Sequence, residues 1–540
     1  GNNVTIDTNS TTTNRADISI GAVTGGSNTL TLTTENNVTG SDITASGAIS
    51  GVTTLTLASV GGTATLSGDV DVTTLAVDNT VANVAFTGNG SSVTNAFTPA
   101  NDGTFVFGTS GGTQTYNAGL TTTSVGSTVT LNGTIATSND AVVLGAVTLG
   151  SATTVDTNAT DNGADITVAA ITGGSNNLTL STGDNISGAD ITASGAISGL
   201  GNLTLADVGG TATFSANVAV AALSADSTAA NITFTGSTNT FSAASTLAND
   251  GTLTFGDATG DSFTFNGGLT TSSVGGTVTL NTNISSSDDA LTFGAITLGN
   301  NVTIDTNSTT TNRADITIGA VTGGSNTLTL TTENNVTGSD ITASGAISGV
   351  TTLTLASVGG TATLSGDVDV TTLSVDNTVA NVAFTGNGSS VTNAFTPAND
   401  GTFVFGTSGG TQTYNGGLTT TSVGGTVTLN GTIDTSNDAV VLGAVTLGSA
   451  TTVDTNASDT TGDITIGAVT GGSNSLTLSM GNNVANTDIT ASGAISGVTT
   501  LTLSNVGGTA TLSGDVDVTT LTVGNTVANV AFTGNGSSAV

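Results

Sequence analysis

The stretch Thr53–Leu75, TTLTLASVGGTATLSGDVDVTTL, decides how this chain is read. It returns unchanged at Thr351–Leu373, and at Thr499–Leu521 with Ser504-Asn505 in place of Ala58-Ser59. A looser copy, GNLTLADVGGTATFSANVAVAAL, occupies Gly201–Leu223. Within each copy, apolar residues alternate with Thr, Ser or Asp, which is the period of a strand with one buried face. The Gly, Asn, Asp and Ser clusters between the alternating runs are turn chemistry. No segment shows the 3.6-residue spacing of a helix.

Working outward, GNNVTIDTNSTTTNRADI at Gly1 recurs at Gly299, and half that offset, 149, is also a period. Sequence units therefore run 1–149, 150–298, 299–447 and 448–540, the last broken off after 93 residues, as expected of a window on a longer chain. The first and third units differ at five positions, among them Ala136/Asp434. Inside each unit a tetrad, with apolar residues second and fourth, appears as Asn3–Ile6, Thr29–Leu32, Thr54–Leu57, Asn83–Phe86, Thr104–Phe107 and Thr128–Leu131. Its steps average about 25 residues, six to a unit, and short strand sets of this kind bury their apolar face only by stacking. The pattern predicts an all-β fold: a parallel β-helix, or β-solenoid, of about 25 residues per rung and six rungs per unit. At a rise of about 4.8 Å per rung, such a rod would be on the order of 100 Å long.

Composition agrees and removes several function classes. A hydrophobic fraction of 36% with mean hydropathy +0.25 is too high for disorder, whereas 3% aromatics and 76 Gly leave only a thin core. With 37 acids against Arg15 and Arg313, the net charge is −35, so nucleic acid and anionic bilayer surfaces are poor partners. The absence of Cys and His removes the usual zinc, haem and iron–sulfur ligands, and no apolar run is long enough to span a membrane. Phe86, Phe97, Phe105, Phe107 and Tyr116, with Phe234, Phe241, Phe255, Phe263 and Phe265, fall in register and read as an interior aromatic stack rather than a ligand groove.

The phrases DITASGAISGVTTLTLASVGGTATLSGDV and NDAVVLGAVTLGSATTVDTN resemble the repeats of giant secreted bacterial β-helix proteins, the filamentous-haemagglutinin-like adhesins and related surface-fibre proteins. That resemblance covers the whole chain by style and spacing, and it carries over no functional residue. It implies a right-handed parallel β-helix, export to the cell surface, and a structural part in an extracellular fibre that spaces, tethers or attaches cells. An adhesin stalk binding a glycan or partner cell and an ice- or mineral-binding surface are the alternatives. The expected partners are like rods or longer copies of the chain, with cell-surface glycans second.

Individual residues add little chemistry. Asp69 and Asp71, repeated as Asp367/Asp369 and Asp515/Asp517, place carboxylate pairs on one outward face, where Ca²⁺ is the one cofactor to consider. The second unit has Asn217 and Ala219 there, and the Gly-rich calcium nonapeptide is missing, so a solvated acidic edge is the competing reading. No enzyme is expected: the acids are spread evenly, and both Arg lie beside Asp17 and Asp315 in the same duplicated turn. Sequons at Asn3, Asn9 and Asn37 are what an Asn- and Thr-rich chain generates by chance. Thr29/Thr31, Thr54/Thr56 and Thr128/Thr130 are expected on one flat outward face.

Overall fold

Alternation of one buried and one outward residue runs through most of the strands. Phe105–Phe107, for example, buries both rings and turns Val106 outward. The computed structural model describes residues 1–183, 186–309, 313–333 and 335–539. Among them there is no helix, and every strand-to-strand pairing is parallel. The chain forms two compact units, Gly1–Thr264 with Ser273–Thr277, and Phe265–Ser272 with Val278–Val540. Each is a parallel β-solenoid, the fold class the repeats predict.

Each turn has three faces. In the first compact unit, Ile43 lies on one face, Ile49 on the next and Leu55 on the third, before Ala64 returns beside Ile43. Long strands such as Ile49–Ala58 run through the bend between two faces with a bulge at Gly51, whose φ of 64° favours glycine. Leu55, Leu57, Ile43, Ile49 and Val60 are fully buried, so the interior is a narrow column of aliphatic side chains lined by three sheets.

The turn is shorter than the tetrads suggest. Ile43, Ala64, Val84, Phe105, Val129, Val147 and Ile171 follow one another on one face, six turns in all. The counterpart of Ile43 in the next sequence unit is Ile191, reached two faces beyond Ile171 and just before Ile197 restores the first face. One sequence unit therefore spans six and two-thirds turns, a mean of about 22 residues each, rather than six rungs of 25. Individual turns range from 18 residues, Val129 to Val147, to 26, Val4 to Leu30. The second compact unit repeats this. Ile341, Ala362, Val382, Phe403, Val427, Val445 and Val469 share a face, and Ile489 falls two faces beyond. The tetrads misled because two of their six steps, Leu55 to Val84 and Val129 to Thr153, also move one face sideways.

Aromatic rings take the place of aliphatic side chains in part of the interior. Phe97 and Tyr116 stack at 5.7 Å between ring centres, Phe105 and Phe107 at 4.1 Å, and Phe97 meets Phe105 edge-on at 5.9 Å. The buried Tyr116 hydroxyl donates to Gln114 Oε1 at 2.9 Å, and Gln114 Nε2 donates to the Phe86 carbonyl at 2.8 Å, so no polar atom of the pair is stranded. Burial raises the Tyr116 pKa well above its ordinary value. The aromatic residues are core, as expected, and the same cluster recurs at Phe395, Phe403, Phe405 and Tyr414.

Because neighbouring turns hold one another, damage should stay local. Phe107→Ala is expected to cost about 3–5 kcal/mol. Hydrogen exchange should show lost protection in the turns of Phe86, Phe107 and Leu131, with the turns around Ile191 unchanged.

Candidate functional site

Many of the acidic and amide side chains have structural work between turns. Asp17 Oδ1 accepts the Asp42 backbone N–H at 2.9 Å, and Asp42 Oδ1 accepts that of Thr63 at 2.7 Å, each one turn further along. The relay recurs through Asp165, Asp190 and Thr211, through Asp315, Asp340 and Thr361, and through Asp463, Asp488 and Thr509. Asn does the same at other strand entries: Asn83 Oδ1 accepts the Thr104 N–H at 3.0 Å, and Asn231 that of Thr252 at 2.9 Å. A side-chain oxygen, not a charge, is what the position requires. It also explains the second glycine of VGGTATL, since a Cβ on Gly62 would collide with Asp42 Oδ1.

The predicted carboxylate pairs split into two roles. Val70 is buried between outward Asp69 and Asp71, as strand alternation demands, and Val368 and Val516 sit likewise between Asp367/Asp369 and Asp515/Asp517. Asp515 Oδ1 accepts the Gly536 N–H at 2.8 Å, and the Asp69 and Asp367 carboxylates lie against the corresponding Gly90 and Gly388. Asp71, Asp369 and Asp517 instead line a recess at the bend between two faces. Asp71 shares it with Ser27, Thr53, Thr73, Ser92 and Thr94 over Val52 and Val72, in a volume of about 270 Å³. The counterparts at Asp369 and Asp517 measure about 290 and 280 Å³. Among the described residues, no three Asp or Glu side chains converge as a metal-holding group.

Sequence reading named the acids of this recess but missed its hydroxyls, which come from the same strand and from three further turns. The available signal was the block change in the second sequence unit, where Ala219 and Ala221 replace the Asp and Thr together. The Thr residues also need correction. Thr31 and Thr56 are neighbours on one face, but Thr130 lies on another, between Val106 and Thr148. The tetrads did not show two outward columns of five Thr in the first compact unit: Thr167, Thr192, Thr213, Thr233 and Thr254, and Thr113, Thr134, Thr154, Thr179 and Thr204.

Two acid pairs bring like charges together on adjacent turns. Asp305 is pushed up to about 6 by burial, reinforced by the Glu333 carboxylate, while its bond from the Asn307 N–H at 2.8 Å opposes the rise. Asp434 lies in register with Asp454, and burial followed by the Asp454 charge raises its pKa. Asp434 is one of the five differences from the first sequence unit, where Ala136 stacks on Asp156 without this conflict. Arg15 and Arg313 are exposed and rest against Gly40 and Gly338 of the next turn.

The fold and these surfaces define the chain as a parallel β-solenoid repeat protein. No protein-family model, curated protein or solved structure matches it. No helix among the described residues is long and apolar enough to cross a membrane.

Two outcomes are expected. Asp42→Ala strands the Thr63 N–H and should cost about 1 kcal/mol, whereas Asp42→Asn keeps the acceptor and should be near neutral; chemical denaturation of the two variants separates them. The acid pairs set a pH dependence. A carboxyl whose folded pKa exceeds its unfolded value, near 3.9, binds protons more tightly when folded. Asp305 therefore favours the fold most below about pH 4, and this contribution is lost as pH rises through about 6. Thermal melts of Asp305→Asn should lack that decline, and Glu333→Gln should reduce it.

Proposed function

We propose that this segment is a structural part of a secreted bacterial surface or extracellular fibre that spaces, tethers or attaches cells, acting without catalysis. The observation that carries the reading is the parallel pairing of successive turns within each compact unit, combined with the two-face step between sequence copies. Tension along such a stack is borne by ladders of backbone hydrogen bonds rather than by flexible linkers. The step around three faces presents the same surface in several directions, which suits a spacer that meets like neighbours on every side. It counts against ice or mineral binding, which needs one flat uniform face, because the Thr columns are distributed around the turn. The resemblance to filamentous-haemagglutinin-like surface proteins points the same way and makes a glycan-binding stalk the nearest alternative.

Cryo-electron microscopy of native material, with and without chelator, tests this. Continuous fibres with a repeat of about 4.8 Å along the axis are expected. Short, unassociated particles would refute the fibre reading. Order lost in chelator would assign Ca²⁺ to Asp69/Asp71 and their copies; order retained would leave those acids to backbone and recess roles.

A further inference from the structure

The recesses at Asp71, Asp369 and Asp517 share one set of features. Asp71 and Asp369 accept no hydrogen bond from the described protein, unlike the acids committed to neighbouring turns, and Asp517 accepts only the Ser538 hydroxyl at 2.7 Å. Each faces a rim of Ser and Thr hydroxyls above two valines. No basic residue lines any of the three. We infer that these recesses are seats for the side-chain ammonium groups of a lysine-rich protein partner.

The chemistry selects this occupant. An ammonium is compact and has three donors to distribute, one to the carboxylate and the others to hydroxyl oxygens. A guanidinium is best met by two parallel acceptors of a carboxylate approached in plane, with little use for a ring of hydroxyls. Ca²⁺ takes six to eight oxygens with more than one carboxylate, which a single Asp does not supply. The valine floor accommodates the methylene stem that carries a lysine head group. A net charge of −35 steers cationic partners toward the whole surface, and the recess supplies the local specificity. In the second sequence unit the Asp and a hydroxyl are lost together, as Ala219 and Ala221. Asn217, by contrast, keeps an oxygen for the Thr238 N–H at 3.0 Å, so the backbone role persists where the recess chemistry does not.

The test is calorimetric titration of the whole segment with an acetylated, amidated peptide of alternating lysine and glycine at fixed moderate salt. Asp71→Asn, Asp369→Asn and Asp517→Asn are combined in one variant. A control combines Asp140→Asn, Asp289→Asn and Asp438→Asn, which removes the same three charges outside the recesses. The recess variant should bind at least tenfold more weakly and the control within about twofold of the parent. The matching arginine peptide should bind more weakly than the lysine peptide, and a glucosamine oligomer more weakly still. Equal losses in the two variants would reduce the binding to diffuse charge attraction and overturn the proposal. An unchanged recess variant would overturn it too, as would tighter binding of the arginine peptide or the amino-sugar oligomer.

Discussion

Parallel pairing between one turn and the next is the constraint on which everything else in this molecule rests. A parallel strand cannot meet its partner through a two-residue hairpin, so the chain must travel round the whole cross-section before it pairs. Each circuit has to close in register over the last, or the apolar set would turn outward. Leu30 over Val4, Leu55 over Leu30 and Leu75 over Leu55 show the requirement met although the circuits differ in length. Length differences are absorbed at the bends and loops, while the strands keep their register.

Polar composition follows from the same requirement. At several strand entries the backbone N–H points to the turn before, and an Asn or Asp oxygen one turn back accepts it. Part of the acidity thus serves backbone satisfaction, a role that Asn217 keeps where the other copies have Asp69, Asp367 and Asp515. Acids outside this relay behave differently. Asp434 and Asp454 repel across a shared register, Asp305 has its pKa raised by burial beside Glu333, and Asp71 and Asp369 remain open to solvent in their recesses.

A sequence period that is not a whole number of turns has a structural consequence. Six and two-thirds turns per copy carry each motif to a new face, so residues identical in sequence meet different neighbours. Ile43 continues a face on which Val84, Phe105 and Val129 follow, whereas its counterpart Ile191 stacks over Ile166, two turns beyond Leu120. Near-identity between copies is compatible with this because the core asks each position only for an apolar residue of suitable volume.

Strict alternation in Thr53–Leu75, its recurrence at a short period, and the absence of helical spacing pointed by themselves to a stacked, all-β chain, since short strand sets of that period bury their apolar face by stacking. Phe97 and Tyr116 were legible as core for the same reason: rings of that size, recurring in register, have nowhere else to go. The number of turns per copy was not legible, because x-Φ-x-Φ reads the same on all three faces and only hydrogen-bond register tells them apart. Nor was the difference between Asp42, spent on the Thr63 N–H, and Asp71, facing a recess built from four turns. Both are outward carboxylates beside a strand, and what separates them is the neighbour that the next turn brings within hydrogen-bonding distance.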